Sequence, residues 1–152
     1  MLEPDKIRDN LREIKTEIAE AAHEANRDPQ EITLVAISKL HPAQAIASLV
    51  QEGHLDIGEN YVQEAKEKQA ALNDARIKWH FVGQVQTKKA KDLIGYFHLI
   101  HAVDRPKRAD ALQSRARSKE IKQSVLLQVN ISGESSKAGV QPEGLKNLVR
   151  HI

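Results

Sequence analysis

Hydrophobic positions along this chain alternate between a helical period and short continuous runs. The opening segment has an apolar residue at every third or fourth position, which predicts an amphipathic helix with one buried stripe: Ile7, Leu11, Ile14, Ile18 and Ala22. Residues 32–37, Ile-Thr-Leu-Val-Ala-Ile, have no such period and are rich in β-branched side chains. They predict a buried strand.

The same alternation continues to the end of the chain. Pro42 is predicted at the first position of the next helix, and Gly53 at its end. Four further strands are predicted at residues 55–58, 78–82, 97–103 and 124–131. The helices predicted after them cover residues 61–72, a segment through Ala90 and Ile94, a segment from Pro106, and a segment from near Pro142. Strands that are each followed by a helix predict right-handed crossovers and a parallel sheet.

Two architectures fit this pattern: a doubly wound open sheet, or part of a (β/α)8 barrel. A closed barrel needs eight βα units and typically about 250 residues, whereas this chain has 152. The chain also ends at His151 and Ile152 inside a helical pattern without a capping residue. We therefore expect one domain, residues 1–152, which is truncated if it is a barrel.

Composition narrows the functional classes. Hydrophobic residues make up 40% of the chain and charged residues 29%, and the net charge of +2 is too small to argue for binding to nucleic acid or to a membrane. Without cysteine, neither disulfides nor thiolate chemistry is available. The N-terminus has no apolar signal region, and no apolar run approaches a membrane span. A cytoplasmic location is the default expectation.

Candidate chemistry lies where the predicted strands end, because parallel strands place their carboxyl ends at one edge. Lys39 follows the first strand. An amine that loses solvation there favours its neutral form, which attacks carbonyl groups. The alternative is a lysine whose stem covers the core while its head reaches water.

The other polar residues at these positions are more ambiguous. Asn60 with Gln63 matches a capping box, so Asn60 is predicted to cap a helix and to face the ligand edge. His80 is expected to be isolated, and His98 and His101 to point to opposite faces of a strand. No histidine spacing indicates zinc, so no metal site is predicted. The basic clusters at residues 88–91 and 105–108 are expected to be solvated.

Five blocks resemble, in order, those of the pyridoxal phosphate homeostasis proteins, the single-domain relatives of the alanine racemase N-terminal domain. They are LVAISKLHPAQAI, DIGENYVQEAKEK, WHFVGQVQTKKAK, IHAVDR and LLQVNISGESSKAGV. The resemblance implies a parallel (β/α)8 TIM-barrel type of α/β fold with an extra N-terminal helix, about five of whose eight βα units are present. It also implies that pyridoxal 5′-phosphate (PLP) forms an aldimine with Lys39, in a site with Asn60, His80 and Asn130.

The function implied by the resemblance is PLP binding and intracellular PLP homeostasis without turnover. The partners would be PLP and, beyond it, PLP-requiring apoenzymes, and the full-length form would be a monomer. Two departures stand out: Lys88 replaces a frequent asparagine, and the last strands, which hold phosphate in the family, are absent. We therefore expect weak PLP binding by this chain and an exposed edge on strand five.

Two alternatives stay open at this point. A racemase-like enzyme needs a second acid/base group beside Lys39, and the chain offers only Tyr61 and Tyr96, neither an obvious partner. A scaffold or nucleic-acid-binding domain would use four basic residues, Lys88, Lys89, Lys91 and Arg105, and its binding would depend steeply on salt.

Overall fold

The computed structural model describes residues 3–152 as alternating strands and helices. The strands are β1 (Ala36–Ile37), β2 (Asp56–Glu59), β3 (Lys78–Phe81), β4 (Leu99–Val103) and β5 (Ser124–Leu127). The helices are α1 (Pro4–Glu24), α2 (Ala43–Gln51), α3 (Val62–Leu72), α4 (Ala90–Leu93), α5 (Pro106–Ser118) and α6 (Pro142–His151). Short 3-10 helices lie at Pro29–Glu31 and Thr87–Lys89.

The five strands form one parallel sheet in the order β1-β2-β3-β4-β5. Each strand is followed by a helix that returns the chain to the next strand. Helix α1 precedes β1, as the sequence pattern predicts. The predicted parallel (β/α) architecture of TIM-barrel type, with five units and an extra N-terminal helix, is confirmed.

The two faces of the sheet differ in what covers them. Ile57 pairs with Trp79 in the register of β2 and β3, and both join a core that includes side chains of α2 to α5. Ile37 pairs with Gly58, which pairs with His80, so these three lie on the other face. That face is more open to water, since Ile37 is 46% exposed.

The first and last strands are shorter than predicted. β1 contains two residues of the predicted 32–37, and β5 contains four of the predicted 124–131. Within residues 3–152, each of these strands is paired along one side only, which leaves the expected open edge on β5. β1 is the shortest of the five strands, whereas β5 is as long as β2 and β3, which have two partners each. Beyond β5, Val129 forms an isolated parallel bridge with Val140, which lies outside the five strands.

Two helices also differ from the pattern. Pro42 is the N-cap of α2 rather than its first residue, since its backbone is extended, with ψ 159°. Gly53 ends that helix as predicted, and its φ of +73° is one that glycine adopts without strain. The helix predicted through Ala90 and Ile94 is instead a 3-10 turn followed by the four residues of α4.

One side of helix α1 packs against the rest of the domain. Leu11 and Ala22 are buried on its stripe, whereas Ile14 is 43% exposed. Among residues 3–152, none of the helices combines the length with the apolar character that crossing a bilayer requires.

Candidate functional site at the carboxyl ends of the first two strands

Lys39 lies in a tight turn immediately after β1. The Ser38 N–H donates to the Gly58 carbonyl at 2.9 Å, which extends the pairing of β1 with β2 by one residue. The His41 N–H then donates to the Ser38 carbonyl at 3.0 Å and closes the turn. Lys39 is therefore presented at the strand end by a backbone that is fixed on both sides.

The Lys39 side chain is exposed, and within residues 3–152 its amine makes no hydrogen bond and no ion pair. The prediction that burial strips this amine of water is wrong for this structure, because the chain leaves the sheet after Ser38 and the next two residues, Lys39 and Leu40, are both exposed. The alternative, an amine that reaches water, describes what is observed.

Leu40, the next residue, has an unfavourable backbone conformation. Its φ is 63°, in the left-handed region, which costs a non-glycine residue roughly 1–2 kcal/mol. Its side chain is 81% exposed, so packing offers little to offset that strain. Its N–H donates to Glu64 Oε1 at 2.6 Å, which ties the turn to helix α3.

A polar cluster lies beneath this turn and consists of three buried residues, Ser38, Glu59 and Lys68, and the partly exposed Glu64. Lys68 is 6% exposed, although it lies on a helix. Its Nζ donates to Glu59 Oε1 at 2.6 Å, to Glu64 Oε1 at 2.7 Å and to the Ser38 carbonyl at 2.6 Å. All three ammonium donors therefore have acceptors.

Glu59 lies at the centre of the cluster. Its side chain is fully buried, and its Oε1 also accepts a hydrogen bond from Ser38 Oγ at 2.6 Å. Its second oxygen, Oε2, has no partner within the described residues. A buried ammonium and a buried carboxylate depend on each other, because removing either leaves an uncompensated charge.

Glu64 joins the cluster to the turn electrostatically. Burial by itself would raise the pKa of Glu64, but hydrogen bonds from Lys68 and from the Leu40 N–H outweigh it and lower the pKa below its ordinary value of 4.5. Glu64 is thus a carboxylate at neutral pH, the form that accepts both bonds most strongly.

Asn60 does not cap a helix, so that prediction is wrong. Helix α3 begins at Val62, its N-cap is Tyr61, and no side chain caps it. Asn60 is half-buried at the end of β2, and its carbonyl oxygen lies 2.2 Å from where a Cβ would stand on Gly83. The two chain segments that leave β2 and β3 can therefore approach only because position 83 has no side chain.

His80 is not isolated, contrary to the prediction. Its Nε2 lies 3.0 Å from Asp56 Oδ1, and its Nδ1 lies 2.9 Å from His101 Nε2. The ring of His98 is 5.8 Å away, so His98 and His101 both adjoin His80 rather than face apart. Burial, and then the charge of His80, lower the pKa of His101. Within residues 3–152, no three potential ligands are grouped as a metal site.

Asn130 lies at the end of β5, and its amide is used by its own loop. Its Nδ2 donates to the carbonyls of Glu134 at 2.9 Å and Lys137 at 3.4 Å. Its Oδ1 accepts from Ser132 Oγ at 3.3 Å and from the Gly133 N–H at 3.1 Å. The side chain is 4% exposed, which is typical of a residue that braces a loop.

Part of the second basic cluster is neutralised by Asp104, which is buried. Arg105 donates two hydrogen bonds to it, and Arg108 Nη1 lies 2.8 Å from its Oδ1. Burial alone would raise the pKa of Asp104, but the two arginines outweigh it and lower that pKa. Lys88 and Lys89 are exposed, as expected of a solvated cluster.

The sheet order brings only some of the predicted residues together. Lys39 and Asn60 follow neighbouring strands, whereas Asn130 follows the strand at the opposite edge of the sheet. Sequence reasoning missed Lys68 altogether. Its spacing of four from Glu64 was a usable signal, because such a pair on one helix face forms an ion pair.

The comparisons with known proteins agree with this fold. The family model for the alanine racemase N-terminal domain matches residues 2–152. The chain therefore belongs to the family of the alanine racemase N-terminal domain.

Its similarity to one group in that family is specific. The chain is 41% identical over 146 residues to the pyridoxal phosphate homeostasis protein of Pseudomonas aeruginosa and 39% identical over 148 residues to that of Haemophilus influenzae. Both matches cover 96% of the chain. The chain spans 64% and 62% of the lengths of these relatives. The resemblance to this group is confirmed.

Solved structures give the same picture. PipY of Synechococcus elongatus, in a structure with PLP bound, is 35% identical with a TM-score of 0.73, over 89% of this chain and 65% of PipY. An unknown protein from Bifidobacterium adolescentis is 27% identical with a TM-score of 0.91, over 99% of this chain and 66% of that one. Alanine racemase of Clostridium difficile is 18% identical, with a TM-score of 0.74, over 97% of this chain and 36% of the racemase. At that identity the match supports the fold alone.

Proposed function

We propose that this protein binds PLP through an aldimine at Lys39 and takes part in PLP homeostasis, without turnover of its own. The observation that carries the proposal is the accessible, unpaired Lys39 amine in a fixed turn at the carboxyl ends of β1 and β2. Ligands of parallel α/β folds collect at that edge. The name of the curated relatives and the PLP-bound PipY structure support the choice of cofactor.

The chemistry requires an amine that an aldehyde can reach. The neutral nitrogen of Lys39 adds to the aldehyde carbon of PLP, and water leaves as the carbon–nitrogen double bond forms. An exposed amine is reached without any opening of the fold, and the reverse step needs only water. Exposure therefore favours capture and release over tight retention, as a homeostatic role requires.

We propose a different role for each of the remaining site residues. Asn60 is half-buried at the end of β2, beside the strand that leads to Lys39, and we infer that it contacts the cofactor. We infer that His80 supports the open face of the sheet behind the cofactor, since both of its ring nitrogens already have partners. The described bonds of Asn130 all stay within its own loop, so we assign it the shaping of that loop at the cofactor edge.

We infer that the racemase-like alternative does not apply. Tyr96 lies 4.3 Å from the Lys66 ammonium by its ring centroid, and Tyr61 is 55% exposed, and neither hydrogen-bonds to the Lys39 turn. Racemisation needs a proton donor on each face of the carbanion, and within residues 3–152 neither tyrosine is placed to be the second one. Sustained exchange of the α-hydrogen of L-alanine for solvent deuterium would contradict this inference.

The wider setting follows from the same reasoning. We propose that residues 1–152 act as one unit, that the protein works in the cytoplasm, and that its full-length form is a monomer. Its partners would be PLP and apoenzymes that need PLP, with no role for nucleic acid or membrane. Flat, negligible nucleic-acid binding across a salt titration is the expected result.

A trapping experiment tests the proposal. The protein is mixed with PLP and reduced with borohydride, which adds hydride to the imine carbon while solvent protonates the nitrogen, and the modified peptide is identified by mass. We expect the adduct on Lys39 and its loss in Lys39→Ala, with little change in the matched control Lys89→Ala. An adduct that is undiminished in Lys39→Ala would overturn the assignment.

A further inference from the structure

We propose that Glu64 and Lys68 are positioning residues, which hold the turn of residues 38–40 in the conformation that presents the Lys39 amine. This inference rests on the proposed role of Lys39. The cluster contacts both neighbours of Lys39 and leaves Lys39 itself free: Lys68 binds the Ser38 carbonyl, and Glu64 binds the Leu40 N–H.

The backbone conformation of Leu40 indicates that the turn requires a stabilising contact. A leucine with φ 63° is sterically strained, and because its side chain is exposed, packing does not offset that strain. Such strain persists only where surrounding contacts over-determine it, and it concentrates at functional sites. The hydrogen bond of 2.6 Å from the Leu40 N–H to Glu64 Oε1 is the contact that holds this residue in place.

The charged cluster anchors that contact. Lys68 places Glu64 Oε1 by a bond of 2.7 Å and simultaneously donates to the Ser38 carbonyl, the same oxygen that closes the turn with His41. Glu59 fixes Lys68 and Ser38 Oγ from below. The chain from Glu59 through Lys68 to Glu64 thus spans the turn from one side of Lys39 to the other.

A purely stabilising role explains this cluster poorly. A buried ion pair is often no better for stability than apolar residues of the same size, because desolvation offsets the attraction. Supporting residues that lock a reactive side chain in place are, by contrast, a general requirement of functional sites. Without the Glu64 contact, we expect Leu40 to relax to negative φ and to carry the Lys39 amine with it.

The test compares two glutamates on helix α3. Glu64→Ala removes the bond to Leu40 but leaves Lys68 with Glu59 and with the Ser38 carbonyl. Glu67→Ala removes an exposed carboxylate about one turn later, whose one hydrogen-bond partner among residues 3–152 is Gln63. We expect the dissociation constant for PLP, followed by the absorbance of the imine, to rise about tenfold in Glu64→Ala, the factor to which the left-handed penalty corresponds. Glu67→Ala should leave it unchanged, and both variants should melt close to the parent.

A rescue separates positioning from general destabilisation. Leu40→Gly, placed in the Glu64→Ala background, removes the steric penalty at that position, so the turn keeps its shape without the contact. We expect this double variant to recover most of the lost affinity. Affinity that falls only together with the melting temperature, and that Leu40→Gly does not restore, would overturn the proposal.

The two proposals fail in different ways. If borohydride traps no adduct on Lys39 in the parent protein, the proposed function fails. If the parent is trapped on Lys39 and Glu64→Ala binds PLP as tightly as the parent does, the function stands and the positioning role is overturned.

Discussion

The turn after β1 and the loop after β5 occupy equivalent places at the ends of parallel strands, but they are held in opposite ways. The Lys39 turn is held by residues outside the turn, because charged side chains of β2 and α3 form hydrogen bonds with the neighbours of Lys39. The loop after Asn130 is held from inside, by the amide of the very residue that was predicted to bind the ligand. One loop keeps its polar side chain available, and the other uses it for structure.

This difference teaches how to separate a reactive residue from a supporting one. Both residues follow strands, both are polar, and both belong to the matching sequence blocks, so the sequence does not distinguish them. The hydrogen-bond partners do. Lys39 has none within residues 3–152, whereas every recorded bond of the Asn130 side chain stays within its own loop.

The largest effect is expected from Lys68→Met, which keeps the length of the side chain but removes the charge that neutralises Glu59. An orphaned buried carboxylate is expected to lower the free energy of unfolding by about 3–5 kcal/mol. Urea denaturation measures it. Adding Glu59→Gln should restore part of the loss, because the orphaned charge is then gone. If the double variant is less stable than the single one, the pair is not coupled as described.

Asn130→Ala should have a smaller and more local effect. The loop loses both amide donor bonds and both bonds to Oδ1, and we expect a loss of about 1–3 kcal/mol. Limited proteolysis should then cleave within residues 131–137, while trapping on Lys39 persists. Asn130→Asp keeps an acceptor oxygen but sets a buried carboxylate against the carbonyls of Glu134 and Lys137, so it should lose at least as much. Loss of Lys39 trapping in Asn130→Ala would break the distinction between the two loops.

Acid should loosen the Lys39 turn before the Asn130 loop. The pKa of Glu64 is lower in the folded protein than its ordinary value of 4.5, so its contribution is complete above about pH 4.5 and disappears as the pH falls through the folded value. The hydrogen-exchange protection of the Leu40 N–H should fall in that range, by less than about tenfold for one partly exposed carboxylate. Protection of the Gly133 N–H, whose partner is a neutral amide, should change less. Equal loss at both sites would point to global unfolding instead.

The smallest effect is expected from Lys39→Ala. An exposed side chain without partners contributes little to folding, so the free energy of unfolding should change by no more than about 0.5 kcal/mol. Thermal or urea unfolding beside the parent protein checks this. A large loss would mean that Lys39, like Asn130, is committed to structure.

The fold was largely predictable from the sequence, because periodicity records which faces are buried. Five strands alternating with helices, the N-terminal helix, and the glycine stop at Gly53 all follow from local pattern. The predicted strand ends were wrong where they depended on how a strand pairs with its neighbours in the sheet. Within residues 3–152, β1 pairs with β2 alone and contains two residues, and no local pattern reports how many neighbours a strand has.

The site was less predictable, because its geometry arises from contacts distant in sequence. Asn60 with Gln63 matches a capping box, yet the helix begins at Val62. The backbone at Asn60 instead passes close to Gly83, a contact that the local sequence does not report. Burial of Lys39 was inferred from the apolar run before it, and the turn carries it into water instead. Lys68 reaches Ser38 from 30 positions away, a contact that only the folded chain reveals.

The central claim is that the turn, and not exposure alone, makes Lys39 the site of capture. The most direct measurement supplies less PLP than protein, reduces with borohydride, and quantifies the adduct on every lysine by peptide mass. Lys88 and Lys89, exposed on the same chain, serve as internal controls. We predict that most of the adduct lies on Lys39. An even distribution over the exposed lysines would contradict the account.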